Sequence, residues 1–533
     1  MARAMIENFA ANVRWRTVRV SRFKHYRHVK TNALTTVTGL SLFRCVTLHG
    51  AAFLVTVCAL ALSVTHAAFA AESESRDVAQ PLTNVAREKS ARDPEKPVLD
   101  FSTDVAIRKS YTIPALEIVG FDLLLNLHNR RYVGDDYKSN LSSIRHNLRR
   151  SWAVDNDPFS VNQLGHPYQG SIYHRFARTA GLSYWESLGY TFAGSALWEI
   201  AGETTPPSRN DQIASGIGGT FLGEALFRLS SLMLEHGGSS PPLWREIAAT
   251  VITPSMGINR FVFGHRDVFP GHDPAYYSRI QLGFSGTARI DQGASTTKLR
   301  SNEALTDFSI DYGLPGKPGY SYTRPFDYFN LQATASSANG FESLFTHGML
   351  VGKDYQSGEK YRGIWGLYGS YDYMAPQIFR VSSTALSFGT TAQWRLSDSF
   401  SVQGTGLLGI GYAAVGTTHG DVTEREYHYG VAPQALFAMR LIYADSASLD
   451  LTAREYFVSK VAAADRGGHD NIVRVDASFT QRISRRHAVT IKYLGNRRDA
   501  TYPDLGTRTQ SRGTIGIFYT FMGQDGFGNV DWR

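Results

Sequence analysis

The chain has 533 residues, of which 19% are charged and 12% aromatic, and it contains 49 glycines. Few charges with many Gly, Tyr and Phe residues are typical of a sheet protein whose outer face meets lipid, and they argue against a cytosolic enzyme. Residues 1–70 hold nine of the 55 Lys and Arg residues but one of the 47 Asp and Glu residues. The rest of the chain is therefore neutral, and the formal charge of +8 does not predict a nucleic-acid partner.

The N-terminal segment has the pattern of an export signal. Residues 51–64 form an apolar run of 14 residues, preceded by basic residues and followed by Ala68-Phe69-Ala70. A spanning helix needs about 20 residues, so the sequence predicts a signal peptide over residues 1–70, with a membrane anchor as the alternative. Residues 71–100 are charged and poor in apolar residues, which predicts a flexible linker. Both cysteines lie in the leading segment, so a cleaved chain has neither a disulfide nor a thiolate metal site.

Residues 101–272 are predicted to form a helical domain. Its two long predicted helices, Leu182–Gly202 and Gln212–Glu235, are rich in small residues, so we expect them to pack closely against each other. Ser208 or Asn210 is a natural N-cap for the second helix. We expect this domain to plug the lumen of the β-barrel that the C-terminal half predicts, or to cap the periplasmic mouth of that barrel. The predicted helices are Leu182–Gly202, Gln212–Glu235 and a short basic helix at Asn140–Ser151, with Ile113–Leu127 either helix or strand.

From about residue 277 the hydrophobic pattern changes to period two. Leu386, Phe388 and Trp394 alternate with small or polar residues, so the two sets point to opposite faces of a strand. Twelve segments, most of about ten residues, predict an antiparallel transmembrane β-barrel over residues 273–523, followed by a tail at 524–533. Two of them, near residues 347 and 367, alternate poorly. The predicted fold class is thus α+β, a helical domain before a barrel, and a periplasmic β-sandwich is the alternative.

Six polar residues in the helical domain are candidates for chemistry. A set of imidazoles and carboxylates suits a divalent metal or general acid–base catalysis, but their spacing matches no strong motif, so the metal stays unknown and no cofactor is predicted. The alternative is a structural network in which they pair with arginines of the same domain, Arg175, Arg178 and Arg228. The catalytic candidates are His166, His174, Glu199 and Glu203, and the binding candidates are Asp211 and Glu224.

Several strings in this region occur together in order. They are His166-Pro167-Tyr168-Gln169-Gly170-Ser171-Ile172-Tyr173, Ala177-Arg178, Gly194-Ser195-Ala196-Leu197-Trp198-Glu199, Glu203, Pro207-Ser208-Arg209-Asn210-Asp211 and Gly223-Glu224. In these strings the chain resembles the bacterial family catalogued as domain of unknown function 3943, whose members are predicted outer-membrane proteins. The resemblance covers roughly residues 110–235. It implies an envelope location and no particular activity.

These observations predict a protein exported through a cleaved signal peptide to the cell outer membrane. Its expected partners are outer-membrane lipids and the outer-membrane assembly machinery, with no nucleic acid and an unknown small-molecule ligand. Three functions stay open: a structural or transport-related barrel with a helical plug, an envelope lipid-modifying enzyme with a His/Glu site in the helical domain, or a surface binding module. The last would use loops such as Asp291–Asn302 and Gly416–Glu426.

Overall fold

A computed structural model describes residues 109–235, 241–264, 273–291, 301–417, 427–460, 467–502 and 506–530. The predicted signal peptide and linker lie outside these residues, as do most of the two predicted surface loops and the last three residues of the tail.

The C-terminal part is a closed barrel, as the period-two pattern predicts. Each strand pairs antiparallel with the next, and β1 pairs with β12 to close the barrel. All twelve predicted segments are strands, including the two that alternate poorly in sequence. The strands are β1 Tyr276–Asp291, β2 Asn302–Tyr312, β3 Phe329–Ser336, β4 Ser343–Ser357, β5 Tyr361–Met374, β6 Phe379–Arg395, β7 Phe400–Thr417, β8 Tyr427–Tyr443, β9 Ala447–Lys460, β10 His469–Ser484, β11 His487–Tyr502 and β12 Gly506–Met522.

The two faces of the barrel wall differ in polarity. On β6, Leu386 and Phe388 point outward and are exposed, whereas Ser387 between them points inward and is buried. The inward residues meet across the lumen, since Lys492 of β11 pairs with Asp307 of β2 at 3.5 Å. The lumen is therefore filled with its own polar side chains rather than with a helix.

The tail beyond β12 closes one end of the barrel. This is the end with the short connections between β4 and β5, β6 and β7, β8 and β9, and β10 and β11. Phe527 is fully buried against the inward-facing residues Tyr277 and Ile442. Residues after the last strand thus pack into the barrel mouth, which gives the predicted tail a structural role.

Helices precede the barrel. Three π-helical turns interrupt them, at Val161–Gly165, Trp198–Gly202 and Ala214–Gly218. The two long predicted helices are therefore each broken, and the segment predicted as helix or strand is a helix. The α-helices are α1 Thr112–Tyr132, α2 Leu141–Asn147, α3 His166–Thr179, α4 Tyr184–Leu197, α5 Arg209–Ile213, α6 Gly219–Glu235, α7 Leu243–Ile252 and α8 Pro254–Phe261. Among the described helices, none has the length and apolarity needed to cross a bilayer.

The helical region packs on the outside of the barrel wall. On β5, Gly369, Tyr371 and Tyr373 alternate in step with the exposed residue Leu367 and so face outward. Helix α6 meets this face directly, because a Cβ atom at Gly369 would lie 2.4 Å from the ring of Phe221.

The same contact extends around the wall. Apolar residues of α6 form one buried cluster with the outward residues of β2 and β3, among them Ile310 and Leu331. Farther round, Phe159 lies against Tyr373 of β5 and Tyr427 of β8, with ring centroids 6.0 and 5.3 Å apart. The expected placement in the lumen or beneath the barrel is wrong, because the apolar side of the helices meets the apolar side of the strands.

Candidate functional site

Three of the six predicted residues converge on one point. The ligand atoms of His166, Glu199 and Asp211 lie within 4.8 Å of one another, and all three residues are buried. We call these three residues the His–acid cluster. His166 Nε2 lies 3.7 Å from Asp211 Oδ2.

The broken helices bring these side chains together. His166 begins α3 directly after one π-helical turn, and Glu199 lies within another. Asp211 lies in α5, whose N-cap is Ser208, one of the two residues predicted for that role. A π-turn adds a residue to the helix and rotates the side chains that follow it, and such turns are frequent at functional sites.

The cluster is acidic and has few donors. The backbone N–H of Ser208 donates to Glu199 Oε2 at 2.9 Å, while Glu199 Oε1 is buried with no hydrogen-bond partner. Burial, followed by the charges of Glu203 and Asp211, raises the pKa of Glu199 well above its usual range. Burial and the charge of Asp155 do the same to the pKa of Asp211.

Residues beside the cluster contact the outer face of the barrel. The side-chain amide of Asn210 donates to Tyr429 Oη at 2.8 Å and to Asp155 Oδ1 at 2.9 Å. Asn162 donates to Tyr427 Oη at 2.9 Å. The cluster thus lies near the junction of helices and wall. Period two alone could not reveal the bonds of Tyr427 and Tyr429 to the helices, because both residues lie at outward positions of a strand like their lipid-facing neighbours.

The other predicted residues lie elsewhere. Glu203 accepts hydrogen bonds from Trp198 Nε1 at 2.8 Å and from Thr205 at 2.9 Å. His174 and Glu224 form a second buried site, with His174 Nε2 3.1 Å from Glu224 Oε2. The predicted set of six therefore divides into the His–acid cluster, the separately bonded Glu203 and an ion-pair network.

The ion-pair network joins buried carboxylates to arginines. Glu224 binds Arg178 at 2.7 Å and Arg228 at 2.9 Å, and Arg228 also binds Asp327 at 2.9 Å. Burial opposes ionisation of Glu224, but Arg178, His174 and Arg228 outweigh it and hold the pKa of Glu224 below its usual range.

This network matches the structural alternative for Glu224. The third arginine predicted for it, Arg175, instead donates to the backbone oxygens of Ser171 and Ile252. Both oxygens of Glu224 are engaged by guanidinium groups, an arrangement typical of a structural ion-pair network.

A family model covers the region that holds both sites. The model described as domain of unknown function (DUF3943) matches residues 151–255. The resemblance predicted from the sequence is therefore confirmed, and all six predicted residues lie within the matched range. No curated protein matches the chain.

Solved barrels resemble the chain weakly. The outer membrane channel DcaP of Acinetobacter baumannii is 8% identical, with 46% of this chain and 96% of that chain covered and a TM-score of 0.22. The KdgM porin is 7% identical over 46% and 99% of the two chains, with a TM-score of 0.20. A mutant of the monoaromatic hydrocarbon channel TodX is 8% identical over 52% and 94%, with a TM-score of 0.21. None of their solutes is carried over to this chain.

Proposed function

We propose that the protein is an integral outer-membrane barrel that acts as a closed scaffold and holds its helical region against the lipid-facing wall. The observation that carries the proposal is that the outward face of the strands is apolar and exposed wherever the helices do not cover it. Phe284, Leu408 and Ile517 are 76%, 72% and 63% exposed there. A continuous apolar face of this kind needs lipid as its solvent, which makes outer-membrane lipids the proposed partner.

Helix α1 supports the same environment for the helical region. It buries Asp122 and Asn126 and exposes Leu123 and Leu124, which are 58% and 68% exposed. A helix that faces water has the opposite arrangement, with polar residues outside. The reversed pattern indicates that the outer surface of α1 also faces lipid.

The filled lumen favours a scaffold over an open pore. Arg440 of β8 binds Asp311 of β2 at 3.1 Å and Asp450 of β9 at 2.7 Å, and Arg279 of β1 binds Asp450 at 3.2 Å. These charged bonds cross the space through which a solute would pass. If the protein transports a solute, these ion pairs would have to break before the lumen could open.

Paired labels on α1 test the lipid environment. Nitroxide labels at Leu124→Cys and Arg131→Cys would be compared in reconstituted liposomes, by their relaxation with oxygen and with a water-soluble nickel chelate. We expect the label at 124 to favour oxygen and the label at 131 to favour nickel. Equal nickel accessibility at both positions would show that α1 faces water and would refute the proposed placement.

Planar-bilayer conductance of the refolded mature protein tests the closed lumen. We expect no stable channel steps, because the charged bonds across the lumen hold it closed. Steady steps from the wild-type protein would instead assign it to the open transport class.

One observation favours a second candidate, an enzyme acting on envelope lipids. His166, Glu199 and Asp211 converge as such a site requires. However, none of the three is more than 6% exposed, so a substrate would need the helices to part from the wall.

A further inference from the structure

The His–acid cluster lacks the positive charge that balances the ion-pair network. Glu199 and Asp211 are both 2% exposed, and within the described residues neither forms an ion pair with Lys or Arg. Burying carboxylates without a cation or full hydrogen bonding is costly. The residues of the cluster therefore require a compensating positive charge or protons.

Unpartnered acceptor atoms lie at and beside the cluster. Glu199 Oε1 is buried without a donor, and so is Oδ1 of the fully buried Asn162. The amide nitrogen of Asn162 donates to Asp155 and to Tyr427, and its oxygen takes no part in these two hydrogen bonds. Buried acceptors in native proteins nearly always have a partner, and oxygens without donors favour a cation over an anion as that partner.

The spacing suits a metal ion. Ligands about 2.0–2.2 Å from a zinc ion lie roughly 3–4 Å from each other. His166 Nε2 and Asp211 Oδ2 are 3.7 Å apart, and all three ligand atoms lie within 4.8 Å of one another, so a bound ion would draw the three slightly closer. The other ring nitrogen of His166 lies 3.4 Å from Ser215 Oγ, which leaves Nε2 directed at Asp211. A partner of this kind on the second nitrogen commonly orients a metal-binding histidine.

We propose that His166, Glu199 and Asp211 bind one divalent transition-metal ion of the zinc class where the helical region meets the outer wall of the barrel. One imidazole with two carboxylates suits zinc or manganese, whereas calcium and magnesium prefer oxygen ligands alone. Three protein ligands leave a coordination position for water, as in catalytic zinc sites. Metal binding at this site is an addition to the scaffold function, and it does not depend on whether the barrel is a scaffold or a transporter.

Zinc retention by the full mature protein tests the site. The protein would be prepared without a histidine tag, stripped with a chelator, incubated with zinc, desalted and analysed for metal content. We expect about one zinc ion per wild-type chain and a higher unfolding temperature with zinc than without it, since a ligand that binds only the folded state stabilises it. A wild-type chain that retains no zinc would overturn the proposal.

Matched variants locate the ion. Asp211→Asn and His166→Gln should reduce retention at least tenfold. Glu186→Gln and His128→Gln should retain the wild-type amount, because Glu186 pairs with Lys109 and His128 packs against Tyr132, both away from the cluster. Folding of each variant is checked by its heat-modifiable migration in gels. If Asp211→Asn does not fold, cobalt bound to the wild-type protein gives the second measurement, since its visible spectrum reports nitrogen and oxygen ligands. Full retention by a folded Asp211→Asn variant, or a cobalt spectrum without protein ligands, would also overturn the proposal.

Discussion

At the scale of single residues, the helical region buries carboxylates in two environments, one with cationic partners and one without. Glu224 is surrounded by two guanidinium groups and an imidazole, so its charge is balanced. Glu199 and Asp211 have no such partners among the described residues. Buried carboxylates within residues 151–255 therefore stabilise the fold in the ion-pair network, whereas in the His–acid cluster they are suited to bind a ligand.

Glu224→Gln should destabilise the folded protein by about 3–5 kcal/mol, because it leaves two buried guanidinium groups without their carboxylate. The measurement is the urea midpoint of the refolded protein. The control is Glu186→Gln, whose partner Lys109 is about half exposed. Glutamine can also keep the capping bond that Glu186 accepts from Ser183, so the cost should stay within about 1 kcal/mol. Equal losses in the two variants would show that Glu224 is not a structural centre.

The effect of Glu224 should depend on pH in a defined direction. Its pKa in the folded protein is lowered from the ordinary value of 4.5, so its contribution is complete above that pH and is lost as the pH falls toward the folded value. The difference in unfolding free energy between wild type and Glu224→Gln should thus be constant from pH 7 to pH 5 and smaller at pH 3. A difference that grows on acidification would contradict the ion-pair account.

At the scale of elements, the helices rely on a few close approaches. A Cβ atom at Gly170 of α3 would lie 2.0 Å from the backbone oxygen of Ser215, and one at Gly194 of α4 would lie 2.9 Å from the ring of Tyr173. Gly189, on the same helix as Gly194, has nothing within 4 Å. The small residues that predicted close packing are therefore needed at some positions only.

Gly170→Ala should destabilise the helical region by about 1–3 kcal/mol, because the added methyl group collides with backbone that cannot move aside. Gly189→Ala is the matched control and should stabilise by about 0.5–1 kcal/mol, since alanine is the better helix former. Chemical unfolding followed by tryptophan fluorescence measures both. The packing account fails if the two alanines shift the midpoint in the same direction.

The elements that could be predicted from the sequence are those with a local signal. Period two marks most of the strands, because alternate side chains of a barrel wall meet lipid and lumen. Even the poorly alternating segment at Tyr361–Met374 is a strand, since its backbone pairs with both neighbours. The sequence could not predict which of the six polar residues join the His–acid cluster and which join the ion-pair network. That depends on where the π-helical turns occur and on how far each turn rotates the helix that follows it.

At the scale of the whole molecule, the barrel wall is a docking surface on its outer side. The sequence predicted that the helical domain plugs the barrel or caps its periplasmic mouth. Arg and Asp residues on the polar strand faces also allowed a lumen filled by its own side chains, and the structure has this arrangement in pairs such as Arg440–Asp311 and Lys492–Asp307. The outward apolar face then has room for both lipid and helices.

A disulfide can distinguish the outer wall from the lumen. A Cβ atom at Gly218 would lie 2.9 Å from Thr384 Oγ1, which points outward on β6, so the Gly218→Cys/Thr384→Cys pair should oxidise to a disulfide in native membranes. The control pair is Gly218→Cys/Ser383→Cys, because Ser383 is adjacent in sequence but bonds Gln434 inside the lumen at 2.7 Å. Mass spectrometry of linked peptides measures both pairs, and only the first should link. Linkage of the control pair alone would return the helices to the lumen, since adjacent residues of a strand cannot both face the same side of the wall.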